Sequence, residues 1–169
     1  MSYFNIVSQS DESTVVAEYT PQSQRSEAYQ SEADLENEFI RLLCELGYER
    51  LAIHKEADLI ANLRTQLEKL NDYRFTDGEW TRFWNEVLAN SNSGILEKTR
   101  LIQEDYVQVL RRDSGESKNI QLIDKKCIHH NSLQVIHQYA ISAKEGAAHD
   151  NRYDVTVLVN GLPLVHIEL

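Results

Sequence analysis

The stretch from Arg152 to Leu169 restricts the fold more than any other part of the chain. It reads RYDVTVLVNGLPLVHIEL, two β-rich runs either side of an Asn-Gly pair. Asn-Gly between alternating apolar residues is the strongest short-range signal for a hairpin, because both residues tolerate positive φ. Strands are expected over Tyr153–Val159 and Leu162–Leu169. Side chains alternate between the two faces of a strand. Val155, Val157 and Val159 therefore share one face, with Val165, Ile167 and Leu169 as the matching set. Asp154, Thr156 and Leu158 share the other, with Leu164, His166 and Glu168. The odd-numbered face reads as core, and the even-numbered face carries both carboxylates. A two-residue Asn160-Gly161 loop would set odd residues against even ones and mix these faces. The alternation instead predicts a three-residue loop, Val159-Asn160-Gly161, with Gly161 left-handed in a bulge. In that register Asp154 faces His166, Glu168 is its diagonal neighbour, and Pro163 sits where a ladder donor is already lost.

Upstream of the hairpin the apolar period is helical. A helix is expected to open at Ser31, a good N-cap, with Glu32, Asp34 and Glu36 near the positive end of its dipole. Leu35, Phe39, Leu42 and Leu46 form its stripe and Gly47 stops it. A second helix is predicted over Glu56–Asn71, burying Leu59, Leu63, Leu67 and Leu70. A third follows the Thr76/Glu79 capping box and buries Trp80, Phe83, Trp84, Val87 and Leu88 before the turn residues Asn90–Gly94. A short helical stretch, Ile95–Ile102, leads to a hairpin of Tyr106–Arg111 and Asn119–Asp124 around Asp113-Ser114-Gly115-Glu116. A strand over Leu133–Ile141 and a loop over Ser142–Asn151 complete the chain. Helices first and a strand meander later predict an α+β domain, its helices packed on a mostly antiparallel or mixed sheet. Residues 1–30 are polar and acidic, and read as an extended arm with at most one short strand; residues 31–169 form the domain.

Composition excludes several classes. With 41% apolar and 26% charged residues the chain resembles an ordinary globular protein. It has no apolar run of the roughly 20 residues that a membrane span needs, and no basic-then-apolar leader. Cys44 and Cys127 lie far apart without a second ligand pair, which argues against a zinc site and for a reducing cytoplasm. The adjacent His129 and His130 would point to opposite faces of a strand, and no GxxxxGK[ST] loop is present. The net charge is −10. Residues 1–38 hold eight acids and one base, Arg25, so the remainder is nearly balanced. No basic stripe stands out, and weak DNA binding is expected of this chain by itself.

Two carboxylates held on one face of a hairpin suit a hard divalent cation, which takes oxygen ligands, often one or two carboxylates plus water and substrate phosphate. An Asp on one strand with Glu-x-Lys on the next is the minimal arrangement for metal-assisted phosphodiester hydrolysis. The plain alternative is that Asp154 and Glu168 are solvated residues at strand ends, and that His166 is a polar side chain on a half-exposed face.

The segments Tyr153-Asp154-Val155, Val159-Asn160-Gly161-Leu162-Pro163-Leu164 and Ile167-Glu168-Leu169, with 14 positions from Asp to Glu, closely resemble the N-terminal PD-(D/E)xK nuclease domain of type I restriction enzyme R subunits. Ser31 through Glu36 resembles that family's first core helix, and Asn131 through Gln138 supports the match. The resemblance implies a restriction-endonuclease-like fold. It makes Asp154 and Glu168 catalytic and metal-binding, and gives the cation, Mg²⁺, a further contact from the backbone carbonyl of Leu169. It also implies an assisting carboxylate from the first helix, for which Glu36 is the candidate, with Glu32 behind it. It further implies double-stranded DNA as substrate, modification and specificity subunits as partners, and ATP-driven translocation by motor domains beyond this segment. The family's lysine would follow Leu169, so the domain reads as incomplete and the chain as given is expected not to cleave DNA. Two other readings remain open: a non-catalytic domain that docks a partner protein, and a different nuclease of the same fold.

Overall fold

The computed structural model describes residues 3–9, 15–20, 31–141 and 151–169, with the backbone alone for 3–9, 15–20, 140–141 and 151–152. The chain falls into two compact units, Met1–Ser31 and Glu32–Leu169. The first contains an antiparallel hairpin of β1 (Tyr3–Gln9) and β2 (Val15–Thr20), where the sequence suggests at most one strand. The expected loop after Ile141 lies, for residues 142–150, outside the described residues.

In the second unit the elements run α1 (Glu32–Glu45), β3 (Glu49–Arg50), α2 (Glu56–Asn71), α3 (Asp77–Phe83), a π-helical turn (Trp84–Leu88), α4 (Ile95–Gln103), β4 (Val107–Arg111), β5 (Ser117–Gln121), a 3₁₀ turn (Ile128–His130), β6 (Leu133–Ile141), β7 (Asn151–Val159) and β8 (Leu162–Ile167). The main sheet has the order β3-β6-β7-β8; β3 is parallel to β6 and the other pairs are antiparallel, while β4 and β5 form a separate hairpin. This is the α+β fold that the sequence implies.

Both faces of the main sheet are covered. Ile40 of α1 packs with Val135 and Val155, joined by Phe39, Leu43, Tyr48 and Ile167. Ile136, Tyr139 and Leu158 pack with Ile53 and Leu59 on the other side. A larger cluster runs from Leu63 and Leu67 of α2 through Phe75, Trp80 and Phe83 to Leu110, Ile120, Leu122 and Leu162. The expected core of the hairpin is corrected accordingly. Leu158 and Thr156, on the even-numbered face, are fully buried, whereas odd-numbered Val165 is 47% exposed and Leu169 39%.

The stripe of α1 also differs from expectation. Glu36 and Ile40 are buried, while Leu35, Leu42 and Leu46 are 42%, 44% and 75% exposed. Leu35, Phe39, Ile40, Leu42, Leu43 and Leu46 make one broad apolar arc, and periodicity alone does not say which edge of that arc meets the sheet. Gly47, with φ 95°, ends the helix as expected, and Tyr48 N–H returns to the Leu43 carbonyl at 3.1 Å. The second helix occupies the span expected of it, with Leu63 and Leu67 at its centre.

The hairpin turn overturns the three-residue loop. Asn160 (φ 51°) and Gly161 (φ 80°) both lie in the left-handed region, and Val159 pairs with Leu162 across a two-residue turn. Positive φ at both central residues matches the strand twist. The parity conflict is resolved one step further on. Leu158 pairs with Pro163 but Val157 pairs with Val165, so Leu164 is an extra residue on β8. The bulge restores like-with-like pairing beside the proline that has no N–H to give. Thr156, not Asp154, therefore faces His166, and Val155 faces Ile167.

Candidate metal centre

The turn pins one end of the β7–β8 ribbon to the core. Asn160 is 1% exposed. Its Oδ1 accepts from Ser132 N–H at 2.8 Å, and its Nδ2 donates to the Leu122 carbonyl at 3.0 Å and to Asn131 Oδ1 at 2.8 Å. Gly161 lies against the backbone of Leu63. With that end fixed, the register determines what meets at the other.

The β7–β8 ladder ends with Val155 opposite Ile167, so Asp154 and Glu168 are the next residues beyond its last pair. Asp154 is half-buried and Glu168 exposed. The Asp154 carboxylate accepts a hydrogen bond from the Leu169 backbone N–H through Oδ2, at 2.8 Å. One oxygen of Asp154 is thus oriented by the backbone adjoining Glu168. Glu36 lies on α1, which packs on the sheet through Ile40 against Val135 and Val155. It is 7% exposed, its Oε2 accepts from Gln138 Nε2 at 3.2 Å, and its Oε1 is buried with no hydrogen-bond partner. Glu32, the reserve candidate, is exposed.

His166 belongs to the same ribbon end. Its Nδ1 lies 2.9 Å from Thr156 Oγ1, and its ring stacks on Tyr153 at 4.1 Å between centroids and 19° between planes. Both an odd and an even residue of β7 thus reach one histidine, so strict alternation fails between Tyr153 and Thr156. Burial pushes the His166 imidazole below its ordinary pKa, favouring the neutral ring. Sequence reasoning set His166 opposite Asp154 and gave Thr156 and Gln138 no role of their own. A buried threonine and a strand glutamine carry no distinguishing signal until the pairing is known.

The candidate donors are hard oxygens: Asp154, Glu168, the Leu169 carbonyl and, on α1, the unsatisfied oxygen of Glu36. That chemistry fits a divalent cation that keeps most of its water. Among the described residues no group of three or more His, Cys, Asp or Glu side chains is gathered closely enough to hold a metal alone. The Cys127, His129 and His130 loop is organised instead around Asp124, which accepts from Cys127 N–H at 2.9 Å and bonds His130 Nδ1 at 2.9 Å.

Residues 29–169 match the family described as type I restriction enzyme R protein N terminus (HSDR_N). The chain belongs to that family. It is 42% identical, over 96% of its length, to a type I restriction enzyme endonuclease subunit (EcoprrI) of Escherichia coli, of which it spans 51%. It is 38% identical over 84% of its length to an endonuclease subunit of Staphylococcus aureus strain MSSA476, and 35% identical over 83% to one of Staphylococcus saprophyticus, spanning 15% of each. The chain thus covers about half of the first of these relatives and a smaller part of the others. The matched region takes in α1, the main sheet and the ribbon that carries Asp154 and Glu168. Among the described residues no helix is long and apolar enough to cross a membrane.

Proposed function

We propose that this chain carries the endonuclease centre of a type I restriction enzyme R subunit, which hydrolyses phosphodiester bonds of double-stranded DNA with Mg²⁺ as cofactor. The observation that supports this best is the Asp154–Leu169 hydrogen bond, which draws Asp154 to the backbone that carries Glu168. Asp154, Glu168 and the carbonyl of Leu169 would hold the cation, and Glu36 would assist. When bound, the cation lowers the pKa of a coordinated water and offsets charge on the phosphoryl oxygens. The chain's own contribution is orientation. The Leu169 N–H fixes one Asp154 oxygen and leaves the other for the cation, while the buried Glu36 keeps an oxygen lone pair free of protein donors. In the whole subunit, which would act in the cytoplasm, cleavage is coupled to ATP-driven translocation of DNA. Modification and specificity subunits complete the complex, and the domain proper spans 31–169, following a polar N-terminal segment.

The test is to replace Asp154 or Glu168 with Ala in the full-length subunit, assembled in its complex, and to follow DNA cleavage and ATP hydrolysis separately. Cleavage should fall on the order of 10²–10³-fold, the scale of losing one group that stabilises transition-state charge, with ATP hydrolysis retained. Cutting that survives both changes would overturn the assignment and favour a docking role for this domain.

A further inference from the structure

Along the β6–β7 ladder the pairing passes from His137↔Val155 to Tyr139↔Tyr153, and the positions skipped between them are Gln138 and Asp154. At that gap Gln138 has φ 51°, a left-handed conformation that residues other than glycine, Asn and Asp seldom adopt. Such backbone persists only where its surroundings hold it, and it collects at functional sites. Here the side chain of Gln138 reaches across to α1, and its Nε2 donates to Glu36 Oε2 at 3.2 Å. The other oxygen of Glu36 is buried and has no donor, an arrangement that costs free energy unless a cation or its bound water completes it. The strained residue at the unpaired Gln138/Asp154 position and the orphaned carboxylate oxygen are two observations linked by one side chain.

We propose that Gln138 is a positioning residue of the metal centre. Its amide holds Glu36 so that one carboxylate oxygen stays free where the ladder opens beside Asp154, and Glu36 thereby adds to the oxygen set available to a divalent cation. This rests on the reading of Asp154 and Glu168 as the metal-binding pair.

Gln138→Gly separates the two properties of the residue, since glycine keeps the left-handed backbone at no steric cost and loses the amide. Mn²⁺ affinity of the full-length, nucleotide-free subunit, read by EPR of the free ion, should fall about tenfold. Cleavage by the assembled complex should slow by about 10–100-fold, the scale on which partners of metal ligands act, with ATP hydrolysis and melting temperature unchanged. Gln138→Asn, which tolerates the same backbone but presents a shorter amide, should behave alike. Because Gln138 acts through Glu36, the combined Glu36→Gln and Gln138→Gly variant should be no worse than Glu36→Gln alone. Unchanged Mn²⁺ affinity and cleavage in Gln138→Gly would overturn the proposal. So would additive losses in the double variant, or losses that appear only with a lowered melting temperature. Asp154→Ala in the same assays separates the two claims. If it retains Mn²⁺ binding and cleavage, the metal-centre reading falls; if it loses both while Gln138→Gly loses neither, only the role of Gln138 falls.

Discussion

A methyl group at position 161 has nowhere to go. A Cβ built there would lie 2.6 Å from the Leu63 Cα and 3.0 Å from its nitrogen, and the backbone φ is 80°. Gly161→Ala therefore meets both a left-handed backbone and a collision with main chain that cannot swing aside. A loss of about 2–5 kcal/mol is expected, read as a lower denaturant midpoint. Its neighbour Asn160 is constrained differently. The left-handed φ of 51° is tolerable for asparagine, and its buried amide satisfies Ser132 N–H, the Leu122 carbonyl and Asn131 together. Asn160→Ala strands those groups and should cost about 2–4 kcal/mol. Asn160→Gly keeps the backbone but not the amide and should recover only part of it; full recovery in urea unfolding would show that the side-chain bonds matter little. The dipeptide Asn-Gly announces a turn from sequence alone. That the same two residues also seal a core is visible only once Leu63 and Leu122 are placed against them.

Among the elements, α3 has the clearest local logic. Thr76 Oγ1 accepts from Glu79 N–H at 3.1 Å, and Glu79 Oε2 accepts from Thr76 N–H at 3.0 Å, the capping box expected from T-x-x-E. The structure adds what sequence does not reveal. Glu79 is 3% exposed and also accepts from Tyr73 O–H at 2.8 Å and from Asp113 N–H at 3.0 Å. One carboxylate thus ties α3 to the turn between β4 and β5. Burial pushes the Glu79 carboxyl up, but the Thr76 and Asp113 N–H groups and the Tyr73 hydroxyl outweigh it and leave the pKa below its ordinary value. A folded-state pKa below the unfolded one stabilises the fold above the ordinary carboxylate range, and the gain is lost as pH falls through the folded value. Glu79→Gln should therefore be destabilised by about 1–3 kcal/mol at neutral pH, and the gap from the native protein should narrow on acidification. Unfolding followed by Trp80 and Trp84 fluorescence checks this; a gap that widens in acid would contradict it.

For the molecule as a whole, charge and topology set different limits. A chain of net charge −10 with no basic stripe should bind duplex DNA no better than about 10⁻⁴ M at physiological salt, the weak end of non-specific binding. Fluorescence anisotropy with a labelled duplex tests this, and micromolar binding would show a cationic surface that the sequence does not suggest. Much of the fold was legible in the sequence. The period of 3.6 gave the span of α2, T-x-x-E gave the start of α3, and alternation with Asn-Gly gave the ribbon, because each signal is local and is set by backbone geometry over a few residues. The spacing and identity of Asp154 and Glu168 were equally plain. The register was not. A bulge at Leu164 behind a two-residue turn yields the same face parity as a three-residue loop with its bulge at Gly161, and only packing on both faces of the sheet selects between them. The same holds for α1, where one apolar arc offers two edges and the sheet takes the one that buries Ile40 and Glu36. Sequence by itself determined most of the elements, though not β3 or a second strand in the N-terminal segment, and which acids they carry. Which side chains meet was decided by tertiary packing, since partners such as Glu36 and Gln138 are 102 positions apart and no local rule reaches that far.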